Sequence, residues 1–446
     1  MQEDRRGTAA AGQCDVVVIG GGPGGSTTAT LLAQRGHRVV LVEKDSHPRF
    51  HIGESLLPAN VPLFEKLGVA REVESIGLEK FGATFVSPWH DKTAGFDFAD
   101  ATDPSMPKAY QVRRSEFDEI LFRRAAAAGA RTLEGCRVRD LDLGDRARPP
   151  KVVATDSAGS VHEWHPRFVV DASGRDTFIG NRLKVKRRNP GHNSAAMYGH
   201  FAHARRDCGR EAGNIIIFWF DHGWFWFIPL KDGVTSVGAV VWPYYMKARA
   251  KPLRDYFLDT IALSPALRER LSQARLVAEP EATGNYSYRC DLCQGDNFVM
   301  VGDAYTFIDP VFSSGVMLAM NSGFAAADVV HARLAADAAA ESAARARFEQ
   351  VMRIGPKEFS WFIYRVTNPT LRELFMNPSD KLQMKQALIS VLAGDLFAGT
   401  PVRRGLFFFR FFYYVFSVAN LRRTVTAWRR RAFNIRDGSE MRLIRG

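Results

Sequence analysis

Three glycines, Gly20, Gly22 and Gly25, stand in the spacing G-x-G-x-x-G directly after the run Asp15-Val16-Val17-Val18-Ile19. The first permits a tight turn, the second lets backbone approach a pyrophosphate, and the third allows a helix to pack closely on a strand. A phosphate held there meets backbone N–H groups and the positive end of the helix. The string alone is weak, but it follows a strand pattern, opens a helical one, and precedes Glu43 at the end of the next strand. A carboxylate at that point can accept from an adenosine ribose. Trp224 and Trp226 alternate in Trp224-Phe225-Trp226-Phe227-Ile228-Pro229, so on a strand both rings face one side. Cys290-x-x-Cys293 has no second pair or histidines at finger spacing, which leaves two thiols near a strand start and no metal site expected.

The elements that must position these groups are readable from periodicity. The short β-branched runs at 15–19 and 38–43 predict strands covered on both faces, with a helix over 22–35 between them capped by Gly36. A helix is expected over 115–128, with Phe117, Ile120, Leu121 and Ala125 on one face, and buried strands over 167–171 and 297–301. From 194 to 241 alternating aromatic-rich runs predict antiparallel strands of a second sheet. A long helix is expected over 315–334, and helical sequence from about 339 onward.

Composition bounds the class. In 446 residues, 46% are apolar and 24% charged, an ordinary globular balance with room for a cofactor domain and a second, interleaved one. Five scattered cysteines give no disulfide framework and suit a reducing cytoplasm. Residues 1–12 lack the apolar run of a secretory signal and read as a frayed tail. The net charge of +12 is uneven: residues 403–446 hold eleven Arg, no Lys and two acids, a net +9. Nothing resembles a nucleic-acid reader, so no nucleic-acid partner is expected. The aromatic run from Leu406 to Phe416 is too short to span a bilayer. A packed helix is preferred for it over an interfacial membrane helix or a lid. The trailing Arg422, Arg423, Arg429, Arg430 and Arg431 read as a solvated face or as a surface that would suit an acidic carrier protein presenting a tethered substrate.

Further fragments turn these readings toward a family. Gly302-Asp303 after a buried strand resembles the second flavin motif of glutathione-reductase-like and hydroxylase flavoproteins, in which the aspartate holds the ribityl chain. Arg114 resembles the arginine that these proteins place near the flavin phosphates, and Asp171-Ala172-Ser173-Gly174-Arg175 resembles their strand-end motif. Their agreement in order across some 290 residues implies FAD rather than NAD. The tryptophan hexad, Lys80-Phe81-Gly82-Ala83, Gly53-Glu54-Ser55-Leu56-Leu57-Pro58 and Phe307-Ile308-Asp309-Pro310-Val311-Phe312-Ser313-Ser314-Gly315 together resemble the flavin-dependent halogenases, most closely the phenol and pyrrole branch. The likeness covers about residues 14 to 395.

That resemblance implies an α/β fold: a Rossmann-type FAD domain of the glutathione-reductase/hydroxylase class, interleaved with an antiparallel substrate sheet and followed by a helical region. The expected divisions are a tail at 1–13, the FAD domain at 14–190 and 290–338 with 80–112 contributing to the substrate sheet, the sheet domain at 191–289, and helices at 339–446. It implies that reduced FAD, O2 and chloride or bromide generate hypohalous acid, which travels through a tunnel to an aromatic ring. Lys80 would aim that electrophile by hydrogen bonding or as a haloamine, and Trp224 and Trp226 would wall the flavin off from substrate. Ser55 and Pro310 would flank the flavin, and Ser314 with Gly315 at a helix start would hold the halide. The glutamate that tryptophan halogenases set near the lysine is not identifiable, which favours substrates already activated by a phenol oxygen or pyrrole nitrogen. No second dinucleotide motif is visible, so a separate flavin reductase is implied. An aromatic hydroxylase, a geranylgeranyl reductase-like enzyme acting on a lipid, and a non-catalytic flavin-binding membrane protein are the competing readings.

Overall fold

Val16–Ile19 has four apolar residues in succession, three of them valine, and no polar alternation, and a strand of that kind is stable only when covered on both faces. In the computed structural model, which describes residues 13–284, 287–397 and 402–436, it lies inside a six-stranded sheet. Its parallel neighbours are Phe168–Asp171 and Val39–Val42, with Ile19 level with Asp171 on one side and Val42 on the other. Phe298–Met300 and Arg131–Leu133 extend the parallel run, and Gln294–Gly295 closes one edge in the opposite sense. Helices Pro23–Gln34, Arg114–Ala127 and Gly315–Leu334 match the expected segments to within about one residue at each end. Of the expected tail, only Gln13 is described, and its side chain accepts from Arg38 at 2.9 Å.

The second sheet has eight strands, with the hairpins of Ala195–Ala202, Ile215–Phe220, Gly223–Pro229 and Thr235–Val241 at its centre. One pairing departs from the antiparallel expectation: Ile215–Phe220 runs parallel to Gly82–Val86. A strand delivered by a long crossover is not bound to the antiparallel sense that a tight hairpin imposes. Of residues 80–112, Gly82–Val86 and Ala94–Asp97 join this sheet, while Leu78–Lys80 pairs with Ala109–Gln111 in a ladder of its own. Lys80 ends the first of these two strands. A further three-stranded sheet, Cys136–Asp142 with Lys151–Asp156 and Val161–Trp164, had no counterpart in the sequence reading.

Alternation along the aromatic strands sorts their side chains between two cores. Ile217, Trp219, Trp224 and Ile228 face a core shared with Phe359, Phe375 and Leu388 of the C-terminal helices. Phe218, Phe225 and Phe227 face the opposite way, onto Tyr244, Phe257 and Leu267 from three short helices behind the sheet. Each such side chain taken out of water contributes about 1.5–3 kcal/mol, so both faces must be covered. The C-terminal region consists of helices Ala338–Ile363, Pro369–Met376, Met384–Ala393, Val402–Ala419 and Leu421–Arg436. No described helix is long and apolar enough to cross a membrane.

Candidate functional site

A cavity of about 360 Å3 opens between the carboxyl ends of the parallel strands and the tryptophan face of the aromatic strand. On the parallel side, Gly20 turns at φ +103°, and Gly25 lies beneath it so closely that a Cβ would sit 1.9 Å from the Gly20 carbonyl oxygen. That contact is the close helix-to-strand packing the third glycine serves; Gly25 supports the loop without lining the cavity. Gly22 does line it, and a Cβ there would meet only the Arg49 guanidinium, at 3.7 Å, so the space above this glycine is open. Glu43, buried, accepts from the Gly21 N–H at 2.7 Å and from the Asp45 N–H at 3.0 Å, locking the loop against the second strand.

Across the cavity stand Arg114, Gly302 and Asp303. Arg114 makes a forked pair with Asp118, at 2.8 Å and 3.0 Å, one turn along its own helix, and donates to the Ile52 carbonyl at 3.0 Å. Burial alone would raise the Asp118 carboxyl, but Arg114, with His51 and Arg49 behind it, overrides that and holds it below the usual range. Asp303 has no such compensation: burial pushes its carboxyl up to about 6 against the pull of Arg114 and Arg175. Its carboxylate accepts no hydrogen bond among the described residues, whereas its main-chain carbonyl accepts from the Tyr288 hydroxyl at 2.7 Å. An open cradle over Gly22 and an unserved carboxylate opposite fit a flavin dinucleotide, whose pyrophosphate and ribityl hydroxyls would supply what each lacks.

The loop 307–315 closes the cavity at the start of the helix Gly315–Leu334. Asp309, buried, accepts from Ser194 at 2.8 Å and from the His192 ring at 3.1 Å, and its other oxygen accepts from the Val311 N–H at 3.3 Å. Ser313 adopts a left-handed conformation, φ +55°, and this turn decides which serine faces the cavity. Pro310, Ser313 and Gly315 line it. Ser314, expected in the halide set, is buried away from the cavity wall, and its hydroxyl does not cap the helix.

Trp224 and Trp226 line the opposite wall on one face, as their alternation requires, with ring centroids 6.1 Å apart. The Trp226 indole N–H donates to Ser236 Oγ at 3.1 Å. Gly238 stands opposite Trp226 in register, and a Cβ there would lie 2.2 Å from the indole, so this glycine makes the room the ring occupies. Lys80 is 1% exposed and does not line the cavity. Its Nζ donates to Ser55 Oγ at 3.0 Å and to the Leu56 carbonyl at 3.1 Å, and lies 5.3 Å from the centroid of the Phe98 ring. Ser55 is on the cavity wall, so one hydroxyl links the lysine to that space. Burial without a counter-ion lowers the Lys80 ammonium from 10.5 to about 7.

Polar cavity residues that the sequence reading missed include Arg49, His51, Arg175 and Ser313. Arg49 lies 3.6 Å from Glu43 and 3.5 Å from Asp118. His51, half-buried, is pushed down to about 4, first by desolvation and then by Arg114, so it is neutral at pH 7 and donates from Nδ1 to the Ile52 carbonyl at 2.7 Å. Arg175 ends a strand-end motif and Ser313 precedes Ser314, and neither position marks its side chain as facing the cavity. The signal was present for Arg49 and His51 in their closeness to Gly53-Glu54-Ser55, but an aperiodic loop gives no facing rule.

Comparison with known proteins agrees with this geometry. Residues 13–349 match the FAD binding domain family. Over 412 residues the chain is 30% identical to the 1H-pyrrole-2-carbonyl peptidyl-carrier protein chlorinase of Pseudomonas fluorescens Pf-5, covering 86% of this chain and 90% of that one. The structure of the myxobacterial chondrochloren halogenase superposes with a TM-score of 0.76 at 34% identity, over 87% of this chain and 92% of that one. A flavoprotein/dehydrogenase from Cytophaga hutchinsonii superposes with a TM-score of 0.83 at 28% identity, over 92% and 100% of the two chains. Fold and site together thus define an FAD-binding flavoprotein. Within that class, the chain belongs to the flavin-dependent halogenases.

Proposed function

We propose that the enzyme uses reduced FAD from a separate flavin reductase, O2 and chloride or bromide to halogenate an electron-rich ring, a phenol or pyrrole, electrophilically. The observation that carries this reading is Lys80, buried with no carboxylate beside it and joined to the cavity through Ser55. When bound, reduced FAD supplies with O2 the two-electron oxidation of halide to hypohalous acid. The residues of the chain then have separable tasks. The N–H groups of the 20–25 loop and the Arg114–Asp118 pair hold the phosphates, and Asp303 takes hydroxyls of the connecting chain. The turn at Ser313 and the helix start at Gly315 offer N–H groups to a halide. Trp224 and Trp226 exclude the aromatic substrate from the flavin side, which favours halogenation over direct hydroxylation. Lys80, neutral for part of its population near pH 7, receives hypohalous acid by hydrogen bond or as a haloamine and presents the halogen to the ring.

A hydroxylase would share the flavin groups but has no use for a buried lysine with no carboxylate beside it. The relative named for a pyrrole on a peptidyl-carrier protein favours a carrier-tethered aromatic, with a free phenol as the second substrate to try. The test is an assay with free FADH2, O2 and chloride or bromide, using simple phenols and carrier-bound pyrroles and phenols, read by mass. A halide-dependent product bearing one or more halogens is expected. A hydroxylated product formed without halide would overturn the reading.

A further inference from the structure

The helix Val402–Ala419 buries Leu406, Phe409, Tyr413 and Ser417 against the core, at helical spacing. Its other side carries Phe407, Phe411, Tyr414, Val415 and Val418, a stripe at the same spacing that faces water, with Phe407 64% and Val418 70% exposed. Leu421, Trp428 and Phe433 continue exposed apolar surface onto the helix Leu421–Arg436. A contiguous stripe of large apolar side chains is unfavourable in water and marks a contact surface.

The charge around it narrows the partner. Residues 402–436 contain nine arginines and no acidic residue. Two copies meeting face to face through this surface would bring like charges together, which argues against self-association. Beside the stripe is a second cavity of about 240 Å3, lined by Tyr364, Arg365, Asn368, Trp428 and Arg431. Arg365 donates to the Tyr414 hydroxyl at 3.2 Å and packs 4.5 Å from the Trp361 ring centroid, and neither Arg365 nor Arg431 has a carboxylate partner among the described residues. Two guanidinium groups bonded to carbonyl and hydroxyl oxygens and to no carboxylate among the described residues, beside an indole, suit a phosphate at an apolar boundary. The matching partner is at once apolar and anionic. Because no described helix is long and apolar enough to cross a bilayer, the helices would lie in its surface.

We propose that Val402–Ala419 and Leu421–Arg436 dock the enzyme on an anionic phospholipid surface, the aromatic stripe entering the boundary between headgroups and acyl chains and the Arg365–Arg431 cavity taking a lipid phosphate. This does not depend on the halogenation reading. The experiment is co-sedimentation of the FAD-loaded enzyme with vesicles of phosphatidylcholine alone and of phosphatidylcholine mixed with phosphatidylglycerol. Binding is expected to the mixed vesicles only, weakening as salt rises. The double variant F407S/F411S and the triple variant R422Q/R423Q/R429Q should each lose at least about tenfold in binding, with FAD content and turnover of a free substrate unchanged. Inorganic phosphate added alone should weaken binding no more than sodium chloride of equal ionic strength. The proposal is overturned if the wild type ignores both vesicle types, if the variants bind as the wild type does, or if free phosphate abolishes binding beyond its ionic strength. It is also overturned if the wild type runs as a dimer that F407S/F411S makes monomeric, or if an acidic carrier protein and not the vesicles is what the variants cease to bind.

Discussion

Arg114 at the parallel-sheet end and Lys80 beside the eight-stranded sheet are both buried cations that approach the same cavity, and they differ in what faces them. Arg114 has the Asp118 carboxylate one helical turn away in a forked pair, and the two groups form a fixed anchor. Lys80 has a hydroxyl, a carbonyl and a phenyl ring, all neutral, so burial is uncompensated and its proton is held only up to about pH 7. Similar burial thus holds an ion pair in one region and an amine without a counter-ion in the other. Residue type adds to that difference, because a guanidinium keeps its proton where a buried ammonium can lose it.

The sharpest way to break this comparison is at Lys80. K80M should lower halogenation by about 10²–10⁴-fold, the span of a lost proton-handling group. FAD stoichiometry should stay at the wild-type value, because Lys80 does not line the cavity. K80R should fail as well, since a guanidinium retains its proton at working pH. Halogenation by either variant at the wild-type rate would remove the lysine from the mechanism. The anchor is tested next: D118N leaves the Arg114 guanidinium buried without its carboxylate and should cost about 3–5 kcal/mol of stability, read from denaturant midpoints, together with weaker FAD retention. A loss below about 1 kcal/mol would mean that Arg49 or solvent serves Arg114 equally well.

The third test is pH dependence. The folded chain releases the Lys80 proton near 7, whereas the unfolded chain keeps it to 10.5. Between those values the unfolded state binds more protons, so this group makes stability rise with pH, by at most about 1.4 kcal/mol per unit, and the contribution is lost as pH falls toward 7. Wild type minus K80M, compared by urea denaturation from pH 7 to 10, should show that slope. Parallel curves would mean that Lys80 keeps an ordinary ammonium.

The cofactor half was legible because its signals are local. A strand, three glycines at fixed spacing, a helix and an acid at the next strand end follow each other within 30 residues, and the helix Gly315–Leu334 declares itself by periodicity. The tryptophan wall was legible for the same reason, since strand alternation alone puts Trp224 and Trp226 on one side. What stayed hidden was non-local or conformational. The parallel entrance of Gly82–Val86 depends on the path of a crossover. The exchange of Ser313 for Ser314 at the cavity wall turns on one left-handed residue before a helix, where no period applies.

Lys80 shows where the division falls. Its sequence neighbours, Phe81-Gly82-Ala83, marked it by resemblance, and the order of types along the chain determined that a dinucleotide cradle, a paired-tryptophan strand and a lysine would all be present. That the lysine would meet Ser55 and Leu56, some 25 residues away, and no carboxylate at all, was decided only when the ladder of Leu78–Lys80 with Ala109–Gln111 brought those segments together. Backbone geometry is written in short spacings and can be read from them. Desolvation belongs to whatever the fold assembles around a group, and it alone set the proton affinity of this one.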